Sequence, residues 1–261
     1  MTAADLFLLA FIALVAGYVQ ASAGFSFSIV FVSVVSSLGL MPLWELTELA
    51  SFLVVVNAVM ALASSSYRPD IKLIGPILLA MIPATAAGVL LLISLHADYT
   101  PIALMLLGAI TVGASVMLFL NLKVLPTVST LSSRLATGVA AGLLGGMLAA
   151  PGPPLVLSLY RQPRQAAIMR VSLLALLLGF GLARLFTVQL TNPTSLAGLS
   201  YFLLCAPASL LGAWLGTRHP PPLSDVNLRR CSFALLSAIG LLLLLEGYWQ
   251  FAPNMGSQTA G

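Results

Sequence analysis

Charge is what this chain has least of. Only 7% of its 261 residues are Asp, Glu, Lys or Arg, against roughly 25% in ordinary soluble domains. That scarcity excludes a water-soluble globule, because the 60% of residues that are hydrophobic could not be covered. Cysteine is nearly absent too: Cys205 and Cys231 indicate neither a disulfide framework nor a metal cluster. The two histidines, His96 and His219, fall in loops on opposite faces under the topology derived below and cannot share a metal. No paired acids, and no nucleophile with its base, share one depth, so neither an enzyme nor a cofactor site is indicated. No acidic residue stands in the middle of an expected span to act as an obligatory proton carrier; Asp5 and Glu246 lie towards outer ends.

What the chain does have is long apolar runs. Six approach the roughly 20 residues needed to cross a bilayer: 49–66, 73–95, 102–120, 171–190, 199–216 and 233–249. Two further stretches, 6–38 and 135–160, are interrupted by glycine and, in the second, by proline. Ala21-Ser22-Ala23 has the look of a signal cleavage site, but no basic residue precedes the apolar region, which argues against one. The tail 252–261 reads as disordered.

Sliding the chain on itself reveals a duplication. Ala16-Gly17 matches Ala141-Gly142, and the same register lays Gly24 to Ser28 beside Ala149 to Pro153. Pro42 and Ser51 pair with Pro163 and Ser172; Pro83-Ala84 and Gly88 pair with Pro207-Ala208 and Gly212. Each half is one broken segment followed by three spans, residues 1–125 and 126–251.

Basic residues near span ends collect on the cytoplasmic side. Were both broken segments full crossings, Arg68, Lys72, Lys123 and Arg134 would oppose Arg161, Arg164, Arg170, Arg218, Arg229 and Arg230, with no bias. If 135–160 enters and returns, all ten fall on one face, opposite loops bearing Glu45, Glu48, His96 and Asp98. The segment 6–38 is read as a hairpin by analogy, since some 33 residues would otherwise make a helix of about 50 Å. The expected fold is an all-α polytopic membrane protein of two inverted repeats, each a re-entrant or broken helical hairpin plus three transmembrane helices. That is a recurrent plan of secondary transporters, with the substrate site between the repeats.

The break itself reads Leu144-Gly-Gly-Met-Leu-Ala-Ala-Pro-Gly-Pro-Pro-Leu-Val-Leu157. Broken backbone at membrane depth is tolerated only in protein or beside a polar cavity. The start of a returning half-helix carries about half a positive charge, and Pro153 or Pro154 suits its first position. Pro151 and Gly152 would form the turn, with Gly152 letting a ligand approach, while Ser26 and Ser28 would add hydroxyls from the first repeat. Such a site favours anions.

These residues resemble the signature of the TauE/SafE family of membrane transporters, also called the sulfite exporter family. Its glycine-rich motif occurs in both halves of a duplicated chain. Here the copies read Gly24-Phe25-Ser26-Phe27-Ser28-Ile29 and Ala149-Ala150-Pro151-Gly152-Pro153-Pro154, keeping Gly24 and Gly152 at family glycine positions. The resemblance implies export of a small anion, sulfite or a short organosulfonate, across a bacterial inner membrane. A channel, or a carrier of another small sulfur anion or carboxylate, is the alternative. With the inside negative, expelling one negative charge is favoured by about 2.3 kcal/mol per 100 mV.

Arg184 is the one ionisable residue well inside a span, and either contacts the anion or snorkels to the outer interface. Asn57, near the middle of its span, either faces substrate or bonds to a neighbouring helix. Gly138, Gly142 and Gly145 form a small-residue face for packing within the protomer or in a homo-oligomer. The expected partners are therefore a small anion and membrane lipid. The net charge of +4 comes from the basic loops and is no evidence for nucleic acid.

Overall fold

The structure, a computed structural model, describes residues 2–23, 27–94, 125–191 and 197–219, with scattered helical positions between 105 and 116 and between 234 and 249. Gly24 and Ser26 lie outside the described residues, as do Lys123, Arg229, Arg230 and the tail. The described elements are helices: α1 (Ala3–Ala23), α2 (Phe27–Ser37), α3 (Leu43–Ala63), α4 (Ile71–Ser94), α5 (Leu131–Leu148), α6 (Gly152–Leu159), α7 (Ala166–Thr191) and α8 (Ala197–Arg218). Five of them, α1, α3, α4, α5 and α7, are long and apolar enough to cross a membrane. Large apolar side chains such as Phe7, Leu79, Phe186, Leu190 and Leu203 stand exposed on the outside of the bundle, a surface suited to lipid tails rather than water.

α3 begins at Leu43 and takes in Glu48, which the hydropathy pattern leaves in a loop. Glu48 is buried and interacts with the charge of Arg184. A carboxylate with a buried countercharge can sit inside a span that a run-length rule would start after it.

Both breaks produce a long arm and a short one. α1 and α5, of 21 and 18 residues, extend about 31 and 27 Å; α2 and α6, of 11 and 8 residues, extend about 16 and 12 Å. In the second pair the arms are antiparallel, Pro154 and Ser158 of α6 facing Ala140 and Ser133 of α5. Their ends are tied: the Leu125 N–H donates to the Arg161 carbonyl (2.8 Å), and Gln162 exchanges hydrogen bonds with Ser129 (3.1 and 3.0 Å). The chain therefore leaves α6 at the end where it enters α5.

That end is basic. Arg164 pairs with Asp70 (3.4 Å), whose N–H donates to Ser172 Oγ (3.0 Å), and Arg134 Nη1 donates to the Lys72 carbonyl (3.0 Å). α1 lies parallel to α8, Gly17 against Ser209 and Gly216 against Tyr18. The Tyr18 hydroxyl donates to the His219 carbonyl (3.2 Å), which brings the far half of α1 to the basic end. α3 finishes at that end, where Ser64 and Thr217 line one cavity. Its start is therefore at the opposite end, and α2 carries the chain there. The two hairpins open at opposite ends of the bundle.

The glycines matched by the duplication sit at corresponding crossings. Gly17 and Gly212 close the α1–α8 contact; Gly142 and Gly88 close the α4–α5 contact. Gly138 also packs on α4, and Gly145 on the Phe180 ring of α7, so this small-residue face is used within the protomer.

α5 ends at Ala149 in the left-handed conformation (φ 55°, ψ 21°), its N–H donating to the Gly145 carbonyl (2.7 Å). The turn expected at Gly152 is thus made three residues earlier, by a residue with a Cβ. A left-handed cap favours glycine, which has no side chain to crowd the following carbonyl. Ala149→Gly is expected to stabilise the protein by up to about 1 kcal/mol, read as a rise in the thermal unfolding midpoint in detergent.

Candidate functional site

The two breaks meet. A cavity of about 10 Å³, room for roughly one water molecule, lies between Gln20 and Phe27 to Ile29 of the first hairpin and Ala150 to Gly152 of the second; Val54 of α3 and Leu177 of α7 close its sides. The Ile29 side chain comes to 3.6 Å from where a Cβ on Gly152 would stand.

Gln20 supplies the cavity's principal polar group. It is 2% exposed, and its Nε2 has no hydrogen-bond partner among the described residues. Its Oε1 is occupied by Asn57 Nδ2 (3.3 Å). Asn57 is held in turn by Ser209, whose Oγ accepts from Nδ2 (2.6 Å) and donates to Oδ1 (2.9 Å). With Asn57 on Oε1, the NH2 is the end of the Gln20 amide left without a partner among the described residues. A buried donor without a partner is disfavoured by about 1–3 kcal/mol, so this arrangement suits a site that a ligand completes. Ser28, also buried, adds a hydroxyl.

The helix ends contribute unequally. The described part of α2 opens with Phe27, Ser28 and Ile29, each of which carries a backbone N–H. In α6 the corresponding positions are Pro151 at the N-cap, Gly152, Pro153 and Pro154. Three of these four have no N–H at all. The array of bare amides expected from the second break shrinks to the single N–H of Gly152, although the positive end of the helix dipole remains.

The expected site residues thus separate. Ser28, Pro151 and Gly152 line the cavity, and Pro153 is buried directly behind Gly152. Asn57 does not line it but donates to Gln20, which does. Arg184 is elsewhere and wholly buried, so it does not snorkel. Its Nε donates to the Gly146 carbonyl (3.1 Å), Nη1 to the Thr47 carbonyl and Ser51 Oγ (2.9 Å each), and Nη2 to Thr47 Oγ1 (2.9 Å). Those bonds tie α7 to α3 and to the long arm of the second hairpin.

Gln20 escapes a sequence reading directed at glycine, proline and charge. Its signal is that it is the sole amide side chain in the apolar stretch 6–38, a few residues before the break.

The family profile described as Sulfite exporter TauE/SafE matches residues 9–243. Among curated proteins, a "Probable sulfite/organosulfonate exporter TauE" from Cupriavidus necator is 28% identical over 228 residues, covering 87% of this chain and 89% of the relative. No solved structure matches. With a duplicated apolar chain, two broken helices meeting at its centre and a profile match over most of its length, this multi-pass membrane protein belongs to the sulfite exporter TauE/SafE family.

Proposed function

We propose that the protein exports a small oxyanion of sulfur, sulfite or a short organosulfonate, from the cytoplasm of a bacterial cell by alternating access around the cavity between the hairpin tips. The observation that carries this is the buried Gln20, its Nε2 without a partner among the described residues, lining with Ser28 a space shared by both breaks. The Gln20 and Ser28 side chains can both donate there, and no carboxylate is among the described lining residues. That is the chemistry of an anion site. The name of the Cupriavidus relative supplies the class of anion.

The two halves act as inverted repeats. Support comes from the hairpins opening at opposite ends, from the parallel pairing of α1 with α8 and of α5 with α4, and from the α3–α7 contact between them. A cavity for about one water is too small for a sulfur oxyanion, so the tips must separate for binding. A closed centre also favours a carrier over an open channel. Export needs no coupling ion where the inside-negative potential drives the anion out at about 2.3 kcal/mol per 100 mV.

Flux of sulfite, short sulfonates and small carboxylates into and out of proteoliposomes tests the proposal. Saturable sulfite or sulfonate flux that responds to an imposed potential is the expected result. Gln20→Leu should lower it about tenfold to a hundredfold, the worth of one hydrogen bond to a charged group. Sulfur-anion flux untouched by Gln20→Leu would remove this cavity from the pathway.

A further inference from the structure

A second, much larger cavity opens at the basic end. It measures about 220 Å³ and lies between the end of α3, the start of α7 and the end of α8. Its volume is below the roughly 300–1,000 Å³ of sites for drug-sized ligands, so it fits a small solute. Its lining includes Ser64, Tyr67, Arg170, Leu174 and Thr217, and no acidic residue.

Arg170 is its single charge. The basic end offers acidic company in Asp70, but that carboxylate is taken by Arg164. Among the described residues the Arg170 guanidinium has no hydrogen bond or ion pair, and Tyr160 is close enough to influence its charge. The hydroxyls of Ser64 and Thr217 already donate to the carbonyls of Met60 and Trp214. A ligand here would meet the planar donor fork of Arg170 with the Tyr67 phenol beside it, a combination suited to a sulfonate or sulfite group.

Position connects this cavity with the central one. On α7, Leu174 lines the first and Leu177 the second, about 4.5 Å apart along the axis. On α3, Ala61 lines the first and Val54 the second, about two turns apart on one face. The α3 turn that holds Asn57, between Val54 and Ala61, forms part of the partition between them.

We propose that the cavity at the basic end is the capture site for the exported anion, with Arg170 binding it before the partition opens. This rests on the transport reading above and adds to it where the anion is first held and by which side chain.

The test separates the two. In protein with Cys205→Ala and Cys231→Ser, Ser64→Cys is labelled by a neutral thiol reagent with and without methanesulfonate, which unlike sulfite does not consume the reagent. Slower labelling with the anion, lost in Arg170→Gln and partly kept in Arg170→Lys, is the expected result; Arg170→Lys also serves where the Gln variant fails to fold. Absence of protection in the Arg170 protein overturns the capture site. In proteoliposomes, KM from the basic face should rise about tenfold to a hundredfold in Arg170→Gln, with KM from the other face unchanged; an equal KM from the basic face likewise overturns it. Protection without flux keeps the capture site and defeats the transport reading; flux without protection does the reverse.

Discussion

Arg184→Gln is expected to lower stability by about 3–5 kcal/mol, because hydrogen bonds from a charged group are worth about 1.5–3 kcal/mol each and their buried acceptors are left behind. Four hydrogen bonds from the guanidinium disappear, to Gly146, Thr47 and Ser51. The nearby buried Glu48 also loses a favourable charge from its surroundings. Purified protein should unfold at clearly lower temperature in detergent, with reduced yield from membranes. Adding Glu48→Gln to the same chain should recover part of the loss, because the second change removes the carboxylate that lost that charge. A single variant that folds normally, yet fails to bind or transport the anion, would instead put Arg184 on the substrate.

Gly142→Leu should have a still larger effect and yield no folded protein. A Cβ at Gly142 would stand 2.5 Å from the Met81 carbonyl oxygen, 2.6 Å from the Ala84 Cβ and 2.9 Å from the Thr85 nitrogen. Two of these are backbone atoms, so α4 and α5 would have to separate along a contact that holds the second hairpin. The penalty should exceed the roughly 4–5 kcal/mol beyond which single substitutions are exceptional. Gly212→Leu at the α1–α8 crossing should behave alike, its Cβ meeting the Leu14 backbone. Gly75→Ala provides the contrast on α4 itself, since apart from its chain neighbours nothing lies within 4 Å of its Cβ. The helix-propensity gain of about 1 kcal/mol is offset there by crowding of the new Cβ against Pro76, so the net change should be small. Size-exclusion profiles of fluorescently tagged variants would show Gly142→Leu aggregated and Gly75→Ala monodisperse; a monodisperse Gly142→Leu would contradict the crossing.

These contacts show which features were legible in the chain. Helical membrane class follows from scarce charge and long apolar runs, and the break at Pro151 to Pro154 is written in residues that cannot continue a helix. The glycine matches were visible as a repeat, but their purpose was not, because which helices cross is a property of the folded bundle. Arg184 illustrates the same limit: Thr47, which it grips twice, is 137 residues away. Glu48 was misplaced because hydropathy scores a carboxylate as exposed whatever faces it. Ala149 gave no signal, since a left-handed alanine is chosen by its surroundings. The loss of amides at α6 is different. Three prolines among four positions are plain in the sequence, and the omission came from treating every helix start as an equal row of donors.

That inequality divides labour between the halves. If the proposed site holds, the proline-bound tip offers almost no donors with which to tell one oxyanion from another and would serve as a stiff abutment. Discrimination would then rest with Gln20, Ser28 and the opening turn of α2. Efforts to retarget the exporter to a different cargo should begin in the amino-terminal half and leave the Pro-Gly-Pro-Pro tip as it stands.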